Sequence, residues 1–86
     1  MKIDKKTWPE YFDAVFSGKK KFDMRVDDFS VEKGDILVLK EYDPKKRNFT
    51  GRMIEKKITR VDRFKIDDFG QKDDILEKGI QIISFE

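Results

Sequence analysis

The sequence has 86 residues, of which 44% are charged and 37% hydrophobic, and its 20 Lys and Arg against 18 Asp and Glu give a net charge of +2. A second independent core would leave each core about forty residues, so we expect a single domain over residues 1–86. The chain has no cysteine and no histidine, which excludes disulfides, thiolate nucleophiles, histidine bases and nearly every zinc site. The small net charge does not by itself predict nucleic-acid binding, so the positions of the charges must decide that question.

Hydropathy predicts a cytoplasmic protein. No apolar run approaches the ~20 residues that cross a bilayer. Residues 1–6 also lack the apolar segment of a signal peptide. We therefore expect no membrane partner.

The first predicted element is a helix over residues 8–17. Thr7 and Glu10 have the spacing of a capping box, and Pro9 loses no hydrogen bond in a first helical turn. Apolar side chains then recur at helical spacing and form one stripe. Gly18 suits a left-handed cap at the end of this helix.

Strands are expected in the rest of the chain. Alternating apolar residues predict a strand over 21–26, and short apolar runs predict a central strand over 36–39 and a last strand over 79–85. We expect residues 66–77 to be a polar connecting segment with one helical turn.

A turn over residues 42–49 predicts a hairpin, because Pro44 fixes the backbone and the flanking Asx side chains bond their own backbone. The segment 51–64 has helix-like spacing, but its β-branched residues favour a strand with a bulge between Ile58 and Val61. The predicted order is helix, three strands, short helix and strand. We expect a mainly β, α+β fold whose antiparallel sheet curls into a small barrel to hide its edges.

Residues 18–25 join the predicted helix to the first predicted strand and carry both signs of charge. The pattern predicts that Asp23 pairs with Arg25 or a lysine and holds a cation toward a cleft, where a guanidinium can bind a phosphate or a base edge. The alternative is that the lysines at 19–21 only complement the helix dipole.

A basic set surrounds the predicted hairpin. It indicates either a solvated face whose edge is guarded by lysine or a surface that follows phosphates. Its members are Lys45, Lys46, Arg47, Arg52, Lys56, Lys57, Arg60, Arg63 and Lys65.

The remaining polar and aromatic features favour ordinary structural roles. The acidic residues between 67 and 77 lack the spacing of a calcium loop, so we expect a solvated loop and no metal site. Trp8, Tyr42 and Phe49 are able to stack bases if they are exposed, but a core this small favours their burial. No cofactor is indicated.

The segment Gly18-x-Lys20-x-x-Asp23-x-Arg25, followed by Gly34-Asp35 before an apolar strand, resembles the signature G-x-K-x-x-E-x-R of the ASCH (activating signal cointegrator homology) domain. This domain is part of the PUA-like superfamily. Residues 9–15, 34–44 and 50–52 resemble a small bacterial and phage ASCH-like subfamily of unknown function, and the resemblance covers about residues 6–64. It implies a PUA-like antiparallel pseudobarrel, with RNA binding or action on modified nucleosides.

The resemblance also implies site residues. Lys20, Asp23 and Arg25 would point into a cleft whose rims are shaped by Gly18 and by Gly34-Asp35. Asp23 replaces the usual glutamate and shortens its reach by one methylene. Lys6 matches a lysine of the subfamily's first strand, which commonly has a histidine where this chain has Ile3.

We therefore expect an RNA- or nucleotide-binding module. Its binding residues would be Lys6, Lys20, Asp23, Arg25 and Arg52. The alternative is a hydrolase that acts on acylated cytidine, as one ASCH branch does with a lysine, a threonine and a glutamate. Lys20 matches that lysine and would act as base, but Asp23 stands where the threonine nucleophile would be. A second alternative is a protein-binding adaptor that uses the charged sheet edge.

Overall fold

The protein is an α+β domain, seen in a computed structural model that describes residues 1–81 and 83. Within those residues, six elements follow one another along the chain. They are β1 (Lys2–Thr7), α1 (Pro9–Phe16), β2 (Ile36–Asp43), β3 (Asn48–Lys57), a short 3₁₀ helix (Ile66–Phe69) and α2 (Lys72–Lys78).

The sheet has the order β1-β2-β3, with β1 parallel and β3 antiparallel to β2. The prediction of a mainly antiparallel sheet is therefore wrong for one of these two pairings. A parallel neighbour arises because α1 lies in the connection between β1 and β2, as in a β-α-β crossover. This described sheet is open, with β1 and β3 at its edges, so the closed pseudobarrel stays a prediction.

The core lies between α1 and the central strand β2. Phe12 and Val15 are the buried residues of α1, and Val38 and Leu39 are buried on β2. Because neighbouring strand residues point to opposite faces, the burial of both Val38 and Leu39 means that β2 is covered on both sides. Of the amphipathic stripe expected from the sequence, Phe12 and Val15 are thus buried against the sheet, whereas Trp8, Tyr11 and Phe16 are exposed.

The helix and its C-terminal cap are confirmed, but the predicted capping box is wrong. Trp8 is the N-cap residue, its backbone is extended, and no side chain caps the helix there. Thr7 is unavailable as a cap because it is the last, buried residue of β1. At the other end, Gly18 has φ +80° and its N–H donates to the Val15 carbonyl over 3.1 Å.

The hairpin between β2 and β3 is also confirmed. Asp43 Oδ1 accepts a hydrogen bond of 2.9 Å from the Lys45 N–H and so fixes the turn. β3 begins earlier than predicted and ends at Lys57, so the bulge expected between Ile58 and Val61 is wrong. The irregularity in the pairing lies in β2 instead, between Lys40 and Tyr42.

Residues 21–26 do not form a strand, which corrects the first strand prediction. The apolar side chains of Phe22, Met24 and Val26 are exposed rather than packed on a neighbouring strand. Their alternation is real, but Asp23 bonds to Arg25, Arg25 bonds to the end of β1, and no ladder of backbone hydrogen bonds forms in this segment.

The C-terminal third also differs from the prediction. The polar connecting segment contains the 3₁₀ helix and the additional helix α2. Of the predicted last strand, residues 79–81 and 83 have no strand structure, while 82, 84 and 85 lie outside the described residues. None of the described helices is long and apolar enough to cross a membrane.

Candidate functional site

The Arg25 guanidinium is held by three hydrogen bonds at the end of β1. Its Nε donates to Asp23 Oδ2 over 2.5 Å. Its Nη2 donates to the Lys6 carbonyl oxygen over 2.9 Å and to Thr7 Oγ1 over 3.2 Å. The Arg25 and Asp23 side chains are 26% and 19% exposed, so both are largely covered. The pairing of these two residues that the sequence predicts is confirmed.

The turn after α1 brings this arginine back to β1. Gly18 takes a left-handed conformation that a side chain would strain. Two residues further on, the Lys20 N–H donates to the Ala14 carbonyl over 2.9 Å and ties the following segment to the helix. The helix end therefore directs residues 21–25 toward the strand that precedes it.

One nitrogen of the guanidinium is left for another partner. Among residues 1–81 and 83, no acceptor makes a hydrogen bond with Arg25 Nη1. A guanidinium presents five donors in a planar fork, and here the protein fixes the plane with the other two nitrogens. Arg25 is thus a positioned cation with free donors, the arrangement that binds phosphate or carbonyl oxygens.

A second polar group surrounds the Glu41 carboxylate, whose side chain is only 5% exposed. The Glu41 carboxylate accepts a hydrogen bond of 2.6 Å from the Thr50 hydroxyl and one of 3.4 Å from Arg52 Nη1. A buried charge requires such partners. Burial of an uncharged polar group without hydrogen bonds already costs on the order of 2–7 kcal/mol, and burial of an unpaired charge costs more. The sequence analysis did not single out Glu41 or Thr50.

Arg52 is shared between this carboxylate and the helix. Its Nη1 lies 3.2 Å from Asp13 Oδ1, and its guanidinium carbon lies 4.7 Å from the centre of the Phe12 ring. Two carboxylates therefore offset its charge. Arg52 joins β3 to α1, which is a structural role that the sequence did not predict.

The two polar groups meet at the paired ends of β1 and β2, where Thr7 and Glu41 are register partners. We call this cluster the strand-end site. It comprises Thr7, Asp13, Asp23, Arg25, Glu41, Thr50 and Arg52.

The two predicted lysines lie beside aromatic rings. Lys6 Nζ is 4.2 Å from the centre of the Tyr42 ring, on the sheet face opposite to Thr7. Lys20 Nζ is 4.8 Å from the Tyr11 ring and 5.2 Å from the Phe22 ring. Within the described residues, neither ammonium group bonds to Asp23 or Arg25. The structure thus leaves both ammonium groups outside the strand-end site.

Gly34-Asp35 lies at the other end of the sheet, which corrects its role as a rim of the site. Ile36 pairs with Lys2, five residues from the Thr7–Glu41 pair, or about 16 Å along the strand. Asp35 accepts hydrogen bonds from the Glu32 N–H and from the amino group of Met1, at 2.9 and 3.2 Å. These donors, the Glu32 N–H first, hold the pKa of Asp35 below its ordinary value.

Another ion pair lies at that same end of the sheet. The Glu55 carboxylate accepts a hydrogen bond of 2.7 Å from Lys2 Nζ, and this bond raises the pKa of Lys2. Both side chains are exposed, so the pair stabilises the sheet only slightly.

Neither of the two best-formed surface hollows in the described part of the chain is lined by Lys20, Asp23 or Arg25, so neither is the predicted cleft. The first has a volume of about 330 Å³ and is lined by Trp8, Pro9, Glu10, Asp43, Pro44 and Lys45. The second has a volume of about 360 Å³ and is lined by Phe64, Phe69, Gln71, Ile75, Gly79, Ile80 and Gln81. Trp8 of the first hollow directly follows Thr7 of the strand-end site along the chain.

One signal in the sequence could have revealed Glu41. It continues the alternation of Leu37 and Leu39, which places its carboxylate on the apolar face of the strand. Thr7 carried no comparable signal, because its spacing from Glu10 fits a cap equally well. The acidic residues between 67 and 77 lie in the 3₁₀ helix and in α2, which corrects the prediction of a loop. Within the part of the chain that the structure describes, no three acidic, His or Cys residues are grouped to hold a metal ion.

The fold and the strand-end site define a small α+β domain with a polar site at one end of an open sheet. The chain belongs to a family described as a domain of unknown function (DUF3850), whose profile matches residues 4–77. It is 44% identical over 52 residues to the "Uncharacterized 12.9 kDa protein in GpA 3'region" of Escherichia phage P2. That similarity covers 60% of this chain and 46% of the phage protein, so the chain spans about half the length of the curated relative it matches. No solved structure matches the chain significantly.

Proposed function

We propose that this domain binds RNA or a nucleotide-like ligand and that Arg25 contacts a phosphate or a base edge of that ligand. One observation carries the proposal: the guanidinium is fixed by Asp23 and by Lys6 and Thr7, while Nη1 has no acceptor among the described residues. A cation that is already positioned loses little conformational entropy when it binds an anion. Asp23 orients the arginine in this proposal.

The surrounding charges support the same function. Lys6 and Lys20 have no carboxylate partner among the described residues, so no neighbouring anion offsets their charge; their ammonium groups lie beside the Tyr42 and Tyr11 rings. Arg52 is offset by Asp13 and Glu41, so it positions the sheet and the helix and contributes little attraction for phosphate. The exposed ring of Tyr11 beside Lys20 adds a surface on which a base can stack, as in proteins that bind single-stranded nucleic acids.

Membership of the ASCH group and the PUA-like superfamily is part of the proposal. The segment from Gly18 to Arg25 supports it, and so does the position of Arg25 beside β1. The pseudobarrel would require further strands next to the open edges β1 and β3. A cytoplasmic location is proposed with it, since an RNA ligand is encountered there.

Titration of a fluorescent single-stranded RNA at low salt tests the role of Arg25. Arg25→Ala is expected to weaken binding by about 1–3 kcal/mol, or about 5- to 150-fold. Arg25→Lys should recover only part of the loss, because an ammonium group cannot reproduce the fork. Thermal unfolding of each variant confirms that the fold is kept.

Arg60 is a matched control. It pairs with Asp62, also two residues away, at 2.9 Å, but its side chain is 80% exposed. Arg60→Ala removes the same charge and should change the affinity by less than about threefold, since one exposed cation contributes only long-range attraction. Equal losses for Arg25→Ala and Arg60→Ala would show that only net charge matters and would remove Arg25 from the site.

The hydrolase is the second candidate, because one observation favours it. The Thr50 hydroxyl donates to Glu41, which places a hydroxyl beside a buried carboxylate. Thr50 therefore offers the hydroxyl nucleophile that Asp23, at the position of the threonine, lacks. Lys20 remains the proposed base, although its ammonium group lies beside Tyr11. In this alternative the Thr50 hydroxyl gives its proton to the base and attacks the acetyl carbonyl, the amide C–N bond breaks as the nucleoside amine takes up a proton and leaves, and water then hydrolyses the threonine ester to release acetate.

Chromatography of acetylated cytidine after incubation with the protein separates the candidates. A binding module leaves the nucleoside intact, whereas a hydrolase releases acetate and loses this activity in Thr50→Val. Capture of a protein partner that survives nuclease treatment would instead support the adaptor that uses the charged sheet edge.

A further inference from the structure

The hollow that begins at Trp8 has an exposed aromatic wall. Trp8 is 50% exposed, against the expectation that it is buried, and it is the chain's one tryptophan. Pro9 and Pro44 complete the apolar lining, and the volume of about 330 Å³ admits a flat ring system. A ring held between an indole and proline rings gains stacking contacts without regard to its identity.

The same hollow carries carboxylate oxygens that lack partners in the protein. Asp43 Oδ1 is used by the hairpin turn. Among residues 1–81 and 83, Asp43 Oδ2 and both oxygens of Glu10 accept no hydrogen bond and form no ion pair. Ionised carboxylates are acceptors only, so they favour a ligand that presents donors. The lining therefore selects by hydrogen bonding as well as by shape.

One cation lies among these acceptors. Lys45 lines the hollow, and Lys46 and Arg47 follow it along the hairpin turn. Lys6 lies against Tyr42, the residue before Asp43. The hollow thus offers a stacking face, acceptors and one lysine in its lining, with further basic residues nearby in the sequence. That distribution fits a nucleotide, whose base carries donors and whose phosphate carries negative charge.

We propose that this hollow binds an unpaired guanine base of a single-stranded nucleic acid, which deepens the proposed function and rests on it. Guanine alone among the four common bases presents two adjacent kinds of donor on its pairing edge, N1–H and the N2 amino group, and so matches a carboxylate. Adenine and cytosine present an amino group next to an acceptor, and uracil presents a donor between two acceptors. Recognition of a splayed base on its pairing edge is the usual mode for single-stranded RNA.

The hollow and Arg25 are joined through consecutive residues of the chain. Arg25 Nη2 donates to Thr7 Oγ1 over 3.2 Å, and Thr7 directly precedes Trp8. In this proposal a guanine stacks on the indole and a neighbouring phosphate of the same strand binds the guanidinium. Glu10 or Asp43 would set the base preference, and Arg25 would set much of the affinity.

The emission of Trp8 tests the assignment directly, because no second tryptophan contributes. The full chain is titrated with the pentanucleotides UUGUU, UUAUU and UUUUU at low salt, with free tryptophanamide as control for absorption by the RNA. UUGUU is expected to quench the emission and to bind about tenfold more tightly than the other two, the size of a good base contact. Absence of quenching, or equal affinity for the three pentanucleotides, would overturn the assignment.

Variants identify the acceptor and separate this inference from the role of Arg25. Glu10→Gln and Asp43→Asn keep the shape of the hollow, and Asn at 43 keeps the Oδ1 acceptor of the turn. At least one of them should remove the preference for UUGUU, whereas Asp74→Asn in α2 should not, and retention in both would refute the carboxylate contact. Quenching by UUGUU that survives Arg25→Ala at full affinity would refute the proposed role of Arg25 alone. Binding that needs Arg25 without any change in Trp8 emission would refute the hollow alone.

Discussion

Thr7 and Glu41 lie opposite each other on the parallel strands β1 and β2, and they are the two polar residues that are buried in the described part of the chain. Each is bonded to an arginine from another part of the chain: Thr7 accepts from Arg25 in the segment after α1, and Glu41 accepts from Arg52 of β3. The end of the sheet is therefore held together by polar contacts where an apolar core would otherwise be expected. Such contacts are costly to break, because the partner left behind remains desolvated.

Replacement of Glu41 with Ala is expected to destabilise the domain by about 2 kcal/mol. Loss of one partner of a buried ion pair costs about 3–5 kcal/mol. The effect is smaller here because Arg52 is about half exposed and retains Asp13 as a partner. Urea unfolding followed by circular dichroism measures the difference. Thr50→Val is the companion variant, and it should cost about 1 kcal/mol through its lost hydrogen bond. An unchanged midpoint for Glu41→Ala would contradict the buried carboxylate.

Arg47 in the hairpin turn has φ +53° and is the one described residue other than glycine with a positive φ. A left-handed conformation costs a residue with a side chain about 1–2 kcal/mol, and glycine avoids this cost but loses more entropy on folding. Arg47→Gly should therefore stabilise the domain by about 0.5 kcal/mol. Denaturant unfolding measures the sign of this change in stability. Lys46→Gly should destabilise the domain, because Lys46 does not have a positive φ that glycine would relieve. A loss of stability in Arg47→Gly would show that the arginine side chain makes a contact that outweighs the strain.

Asp35 should make stability depend on acid pH. Its pKa is lowered in the folded state by the Glu32 N–H and by the Met1 amino group. A depressed folded pKa means that the stabilisation is fully present above the unfolded value, about 3.9, and is lost as pH falls through the lower folded value. The difference in unfolding free energy between the protein and Asp35→Asn should accordingly be constant from pH 6 to about pH 5 and decline below about pH 4. A difference that stays constant down to pH 2 would contradict this.

Local signals in the sequence were sufficient for α1 and for the hairpin. The helical stripe of α1 is amphipathic on its own, and Pro44 with Asp43 specifies a turn without help from the rest of the chain. β1 was absent from the predicted order of elements and was suggested only by the family resemblance, because its charged residues alternate with few apolar ones. Its exposed lysines and aspartate are satisfied by neighbours far along the chain, such as Lys40 for Asp4. Such long-range pairs leave no local pattern.

The sequence predicted only part of the candidate site, because some of its contacts are local and others join distant parts of the chain. Asp23 and Arg25 are two residues apart, so their pairing was visible in the sequence. The contacts of Arg25 with Lys6 and Thr7 depend on the crossover of α1, which returns the chain to β1. Glu41 was missed because a charged residue in a strand usually indicates an exposed face, and here the partner on β3 makes burial possible.

Residues 21–26 give the sharpest disagreement between sequence pattern and structure, and Val26 decides it. In the structure Val26 is 77% exposed and belongs to no strand, so Val26→Ser should change the unfolding free energy by less than about 0.5 kcal/mol. If the segment instead adds a strand to a closed barrel, the same change buries a hydroxyl, removes apolar contact and should cost about 1.5 kcal/mol or more. Val38→Ser is the matched control, because Val38 is buried on β2. This substitution should lower the unfolding free energy by well over about 2 kcal/mol, since large-to-small changes in a core cost about 2–5 kcal/mol. Urea unfolding of the two variants side by side compares them directly, and similar losses at both positions would mean that Val26 is packed in solution.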